Sequence, residues 1–301
     1  MTALSTNICG IEFKNPVIAA SGTFNFGKEF KNFFSLSKLG GICLKGLTLG
    51  KREGNDSPRI AECYGGILNS VGLQNPGLEA FLRDLTSVLK EDTNFIANIA
   101  GNTVSEYCAL AERLSDTDIS MIELNISCPN VKKGGLSFGV LPEDVKNIVK
   151  EVRKFCKKPL IVKLSPNVAS ISDNALAAQD GGADCISLIN TLKGMAIDIY
   201  TRKPILSNVI GGLSGPAIKP VALAMVYECY KAVDIPIIGI GGIMDYKDAL
   251  EFMLAGASAV QVGTANMINP MAMVEIIEEL TEFCKENNIK NIKELVGGLV
   301  V

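Results

Sequence analysis

The sequence predicts a (β/α)8 barrel with long loops over its C-terminal mouth, and three observations predict it. Eight short apolar or β-branched runs are punctuated by Gly, Asn or Ser, a helix-like stretch follows each, and polar residues recur where the runs end. Strand then helix, repeated eight times, is the pattern by which parallel strands close on themselves. An open doubly wound sheet is the alternative, and it is weakened because no G-x-G-x-x-G follows the first run.

In order, the runs are residues 16–20, 41–45, 94–100, 121–127, 160–165, 185–191, 235–239 and 259–263. Among the intervening segments, residues 142–156 place Val145, Ile148, Val149 and Val152 at helical spacing, and 245–255 form a second amphipathic stretch. Residues 173–180 form a shorter helix that stops at Gly181-Gly182, as a helix C-terminus should. The gaps after the second and sixth runs are unusually long, so residues 49–75 and 192–215 are expected to be loops over the mouth. No linker, repeat or low-complexity segment divides the chain, so residues 1–301 are expected to form one domain.

A chain of 301 residues that is 48% hydrophobic and 20% charged can bury a large core, which excludes a disordered or fibrous protein. A net charge of -3 provides no basic field for a phosphate backbone, so nucleic acid is not an expected partner. The longest apolar stretches, such as 235–244, fall far short of the roughly 20 residues that span a membrane. The start, MTALSTNICGIEF, has no charged n-region followed by an apolar h-region, and a cytoplasmic location without a membrane is expected. The nine cysteines include no C-x-x-C pair and have neither disulfide-framework nor metal-ligand spacing. There is no histidine, which removes Ser-His and Cys-His pairs, His-ligated zinc and a His base. Acid-base work falls to Cys, Lys, Asp, Glu, Ser or Tyr.

Barrel chemistry sits at the C-terminal ends of the strands. The second run ends in Lys45-Gly46, the third carries Asn98, the fourth passes from Asn125 into Cys128-Pro129-Asn130, the fifth carries Lys163, and the sixth ends in Asn190-Thr191. A single Asn there would merely tie down a loop. Five ends presenting amides and lysines to one mouth suggest a shared ligand, because each buried polar group needs a partner. The last two runs end in Gly239-Ile240-Gly241-Gly242 and Gly263-Thr264, where barrels often bind phosphate through exposed backbone N–H groups. Two tight turns would also use glycine there. Cys128 follows a strand end and opens a Lys132-Lys133-Gly134-Gly135 segment that could act as a lid. By position alone it is either a base assisted by lysine charge or an inert packing thiol.

The segments NSVGLQNPG (69–77), NISCPNVKKGG (125–135), VKLSPN (162–167), INT (189–191), GGLSGPAIKP (211–220), GIGGI (239–243) and QVGTA (261–265) resemble dihydroorotate dehydrogenase, an FMN enzyme of pyrimidine synthesis. The resemblance covers essentially the whole chain. The Cys in NISCPN looks like class 1, and VKKGGLSFG looks like class 1B. It implies oxidation of (S)-dihydroorotate to orotate, with Cys128 as the base that removes the C5 proton while the C6 hydride goes to FMN. It further implies that Lys45, Asn69, Asn125, Asn190 and Thr191 hold the substrate, with Ser70, Val71, Gly72 and Leu73 completing that loop. FMN would contact Ser21, Lys45, Gly46, Asn98, Asn125, Lys163, Ile189 and Gly215, and its phosphate Gly241, Gly242, Gly263 and Thr264. The class implies a partner, an electron-transfer subunit with FAD and a [2Fe-2S] cluster that passes electrons to NAD, in a heterotetramer of two catalytic and two electron-transfer chains around a homodimer core. This sequence has no four-Cys spacing for a cluster and no dinucleotide fingerprint, so both of those cofactors would sit on the other chain. The tail, residues 295–301, is expected to pack on its own barrel.

Three other readings compete with this one. An FMN barrel that reduces uracil-type pyrimidines typically reads CPH after the strand, and this chain has no His. A Schiff-base aldolase using Lys163 leaves Cys128 and the amides without a role. A non-catalytic barrel that binds a phosphorylated ligand predicts binding without turnover.

Overall fold

Strands that are apolar on both faces can bury themselves only inside a layered fold, and here they do so by closing on one another. The computed structural model describes residues 3–127 and 138–301. The barrel strands are β1 (Val17–Ala19), β2 (Gly41–Cys43), β3 (Asn94–Ile99), β4 (Met121–Asn125), β5 (Leu160–Lys163), β6 (Cys185–Leu188), β7 (Ile237–Ile240) and β8 (Ala259–Val262), each pairing in parallel with its sequence neighbours, and β8 with β1. These lie within the eight predicted runs, except that β7 ends at Ile240, one residue beyond its run. The runs overshoot their strands where residues such as 44–45 and 189–191 turn into the mouth.

The outer layer holds α1 (Leu78–Val88), α2 (Val104–Ser115), α3 (Pro142–Arg153), α4 (Ile171–Asp180), α5 (Lys219–Ala232), α6 (Tyr246–Leu254) and α7 (Ala272–Glu286). Helix α3 shows why they form. Pro142 sits in the first turn with Glu143 and Asp144, Lys150 and Arg153 sit in the last, and Val145, Ile148, Val149 and Val152 are buried. Helix α4 begins two residues earlier than predicted because the Ser170 hydroxyl accepts from the Asp173 N–H. Asp245 caps α6 in the same way.

Three sequence expectations need correction. Between β1 and β2 there is no long helix, only Ser21–Phe24 and the 3₁₀ turns Glu29–Asn32 and Leu36–Lys38. Left-handed Asn25 and Gly27 interrupt the segment, and stacked Phe24 and Phe30, 4.1 Å apart, supply the missing apolar cover. Residues 49–75 and 192–215 are not simply loops. They contribute Ile60–Cys63, Gly66–Asn69, Leu192–Gly194 and Gly211–Ser214 to a four-stranded antiparallel sheet. An N-terminal hairpin, Thr6–Ile8 with Ile11–Phe13, was also not predicted. Its Ile8 and Phe13 pack with Ile18, Ile96, Met121, Ile161, Cys185, Ile238 and Ala259 and plug the floor of the barrel. In the C-terminal tail, the Gly297 N–H bonds the Met253 carbonyl at 3.0 Å, so that part does pack on the barrel, while Val300 and Val301 are exposed.

Candidate active site

Above the apolar floor, side chains alternate along each strand, so the next inward positions form a new layer. On β4, Met121, Glu123 and Asn125 share the inward face while Ile122 and Leu124 join the apolar layer under the helices. The second layer is polar: Asn98, Glu123, Lys163, Ser187 and Gln261 are all buried. It underlies a cavity of about 1250 Å³ at the C-terminal mouth, more than a single small ligand needs.

Within the described residues, every predicted site residue lines that cavity. Ser21, Lys45, Gly46, Asn98, Asn125, Lys163, Ile189, Asn190 and Thr191 come from the ends of β1 to β6, while Gly241, Gly242, Gly263 and Thr264 follow β7 and β8. Asn69, Ser70, Val71, Gly72, Leu73 and Gly215 come from the antiparallel sheet and its connections. Cys128, and the Lys132 to Gly135 segment expected as a lid, lie outside the described residues.

The amides are tied to one another. Asn190 Nδ2 donates to Asn125 Oδ1 at 3.3 Å, and Asn190 Oδ1 accepts from the Thr191 N–H at 2.8 Å. Asn69 Nδ2 donates to the Gly212 carbonyl at 3.3 Å, across the sheet that joins the two long connections. Gly72 and Leu73 both take positive φ, which holds their turn against Asn55. Two polar atoms here are buried without a hydrogen-bond partner, Asn98 Oδ1 and Ser70 Oγ. In a folded interior such atoms await an acceptor or donor from a ligand. Burial, and then the nearby Arg59 guanidinium, pull the Lys45 ammonium below the usual lysine value.

The glycines form a cradle. At Gly242, with φ +77°, a Cβ would lie 2.8 Å from the Lys219 nitrogen and 2.9 Å from the Gly215 carbonyl oxygen. At Gly263 the nearest atom to a Cβ would be 3.6 Å away, so only the absence of a side chain keeps that wall open. Thr264 Oγ1 donates to Ser214 Oγ at 2.9 Å and joins this corner to the antiparallel sheet. The donor set, the two orphaned atoms and the open glycine corner fit a flat, hydrogen-bonding ring with a phosphate tail.

Sequence reasoning missed Glu123, although the signal was present: a carboxylate at an inward position of an otherwise apolar strand. It also missed Arg59, whose guanidinium donates to Gln74 Oε1 at 2.6 Å, and Asn75, whose side chain accepts from the Thr48 and Gly77 N–H groups and shapes the same loop. Both sit in a segment without strand or helix periodicity.

Fold and cavity together define a (β/α)8 barrel with a deep polar mouth, sized for a cofactor and a small substrate side by side. The dihydroorotate dehydrogenase family model matches residues 3–284, and the chain belongs to that family. A relative from Petrotoga mobilis named dihydroorotate dehydrogenase B (NAD(+)), catalytic subunit, is 58% identical over 298 residues, 99% of each chain. One of the same name from Alkaliphilus oremlandii is 57% identical over 297 residues, 98% of each chain. Among solved structures, Eimeria tenella DHODH in complex with ferulenol superposes with a TM-score of 0.82 at 24% identity, covering 98% of this chain and 88% of that one, a likeness of fold. No helix among the described residues is long and apolar enough to cross a membrane.

Proposed function

We propose that this chain, acting as one FMN-binding barrel over residues 1–301, is the catalytic subunit of an NAD-linked dihydroorotate dehydrogenase that oxidises (S)-dihydroorotate to orotate for pyrimidine synthesis in the cytoplasm. The observation that carries this reading is the single cavity in which the amides of Asn69, Asn125 and Asn190 converge with Lys45 and Lys163 opposite a glycine corner. The names of the full-length relatives agree with it.

When bound, FMN supplies a two-electron acceptor for the C6 hydride. The substrate's C5 proton goes to Cys128, and the C5–C6 single bond becomes the double bond of orotate. Lys45 holds the substrate carboxylate, and the three Asn side chains match its ring N–H and carbonyl groups, since each amide offers both a donor and an acceptor. Ser70 to Leu73 close that loop. Lys163 would supply positive charge beside the cofactor, stabilising the negative charge that its reduced form carries. Ser21, Gly46, Asn98, Ile189 and Gly215 hold the ring and chain of FMN, and Gly241, Gly242, Gly263 and Thr264 its phosphate.

The words "catalytic subunit" in the relatives' names support a second chain. We assign to it the FAD and [2Fe-2S] cluster that relay electrons to NAD, in a heterotetramer with a catalytic homodimer at its core. The reading is tested by mixing the purified protein anaerobically with dihydroorotate and following flavin absorbance: bleaching supports it, and a flavin that stays oxidised rejects dihydroorotate as substrate.

Three further results are expected. Gly263→Ala keeps the fold, since its Cβ meets nothing closer than 3.6 Å, but weakens FMN binding by occupying the open corner. Gly242→Ala damages both, costing about 1–3 kcal/mol for a non-Gly residue in that backbone region before any clash is counted. Thermal melts and FMN titration of both variants separate the two effects. For Lys45, the lowered pKa means that its charge is lost as pH rises, earlier than for an ordinary lysine. Orotate affinity therefore declines as pH rises, at lower pH than an ordinary lysine would give, and a Lys45→Met variant, weaker throughout, lacks that decline.

A further inference from the structure

Glu123 is fully buried at the centre of the polar layer, and the proposed mechanism does not use it. Both its oxygens are saturated by neutral donors. Asn98 Nδ2 at 2.6 Å and Cys43 Sγ at 3.2 Å reach Oε1, while Gln261 Nε2 at 2.7 Å and Ser187 Oγ at 2.9 Å reach Oε2. A carboxylate has about four lone-pair sites, and all four are taken. Lys163 Nζ stands 3.9 Å from Oε1, close enough for charge pairing but beyond hydrogen-bond reach, so its donors stay available to the cavity it lines. Because a carboxylate only accepts, the Asn98 amide must turn its Nδ2 inward, which leaves Oδ1 as the buried atom without a partner. The carboxyl is charged: burial would push its pKa up, but the Lys163 ammonium and then donation from Gln261, Asn98 and Cys43 hold it below the usual range.

A buried charge pair is expensive, and apolar replacements of similar volume are often as stable or more so. Stability alone gives no reason for this layer. Its geometry faces the cavity instead, because one carboxylate fixes the polarity of Asn98 and balances the charge of Lys163.

We infer that Glu123 is a positioning residue that sets the reduction potential of FMN, by partly offsetting the Lys163 charge and holding Asn98 with its acceptor toward the cofactor. This rests on the FMN reading. Reduction brings negative charge to the cofactor, which Lys163 favours and Glu123 opposes. Removing the Glu123 charge therefore makes reduction easier.

The test is the midpoint potential of the FMN-loaded protein, by dye-coupled titration, in three variants. Glu123→Gln is expected to move it to more positive values by at least about 30 mV, a tenfold change in the reduced-to-oxidised ratio of a two-electron couple. The double variant Glu123→Gln with Gln261→Glu returns the charge across the 2.7 Å contact and should bring the potential back toward wild type, which also tests the idea if the single variant folds poorly. Ser187→Ala removes one donor but keeps the charge, and should leave the potential near wild type. An unchanged or more negative potential in Glu123→Gln, no recovery in the swap, or the same shift in Ser187→Ala would overturn the role. A wild-type protein that binds no FMN would overturn the underlying reading itself, a distinct outcome read before any variant is made.

Discussion

Cys128→Ala retains FMN but slows its reduction by dihydroorotate by ~10²–10⁴-fold, the usual contribution of a positioned base. The argument is one of supply. The chain has no histidine, and the described wall of the cavity is rich in amides and cations: Lys45, Lys51, Arg52, Lys163 and Lys193 all line it. Its carboxylate among the described residues is Glu53, which is exposed and paired with Lys51 at 2.6 Å. A surface carboxylate in an ion pair is a weak and poorly placed base. In the sequence Cys128 stands three residues beyond the end of β4, and a thiol is the kind of group that nearby positive charge activates as a thiolate. Anaerobic stopped-flow absorbance measures the step, and reduction at a near-normal rate in the variant would remove the base assignment. FMN content measured alongside guards against a trivial loss of cofactor.

The second large effect is expected from Lys163→Ala, in stability as well as chemistry. It leaves Glu123 charged and buried with no cation beside it, and breaking such a pair typically costs 3–5 kcal/mol. Four neutral donors still solvate the carboxylate, so about 3 kcal/mol is expected, the lower end of that range. Neutralising both partners, as in Lys163→Met with Glu123→Gln, should recover most of the loss, and urea denaturation of the single and double variants closes the cycle. Additive losses would show that the two side chains do not sense each other. The same Lys163→Ala variant should hold FMN more weakly and at a more negative potential, and an unchanged flavin spectrum and potential would count against Lys163 beside the cofactor.

The barrel was legible because its strands are buried on both faces. Runs such as LIVK and CISL carry no ambiguity once a helix-length segment follows each. The antiparallel sheet over the mouth was not legible. Gly211–Ser214 is half-buried throughout and half glycine, so it shows neither alternation nor β-branched enrichment. Its pairing partner is remote as well, with Asn69 reaching Gly212 across 143 positions of sequence. The segment between β1 and β2 misled because five phenylalanines imitate a helix face until Asn25 and Gly27 are seen to break it.

At the site, strand-end amides and paired glycines could be read from position alone, since barrel topology fixes where strand ends meet. Glu123 required one step more. Its inward direction follows from alternation along β4, but its four donors come from four other strands, β2, β3, β6 and β8. No local spacing in the sequence could announce that convergence.

The N-terminal hairpin that plugs the floor acts as electrical insulation for the layer above it. With Ile8 and Phe13 wholly buried beneath the strands, an apolar layer lies between that end of the barrel and the Glu123–Lys163 pair, so the field between the two is less screened from that side. Among the described residues, the cavity at the mouth is what reaches this layer, through Asn98 and Lys163. A ligand that fills the cavity would cover the charge pair from the other side, where the pair would act on that ligand most strongly.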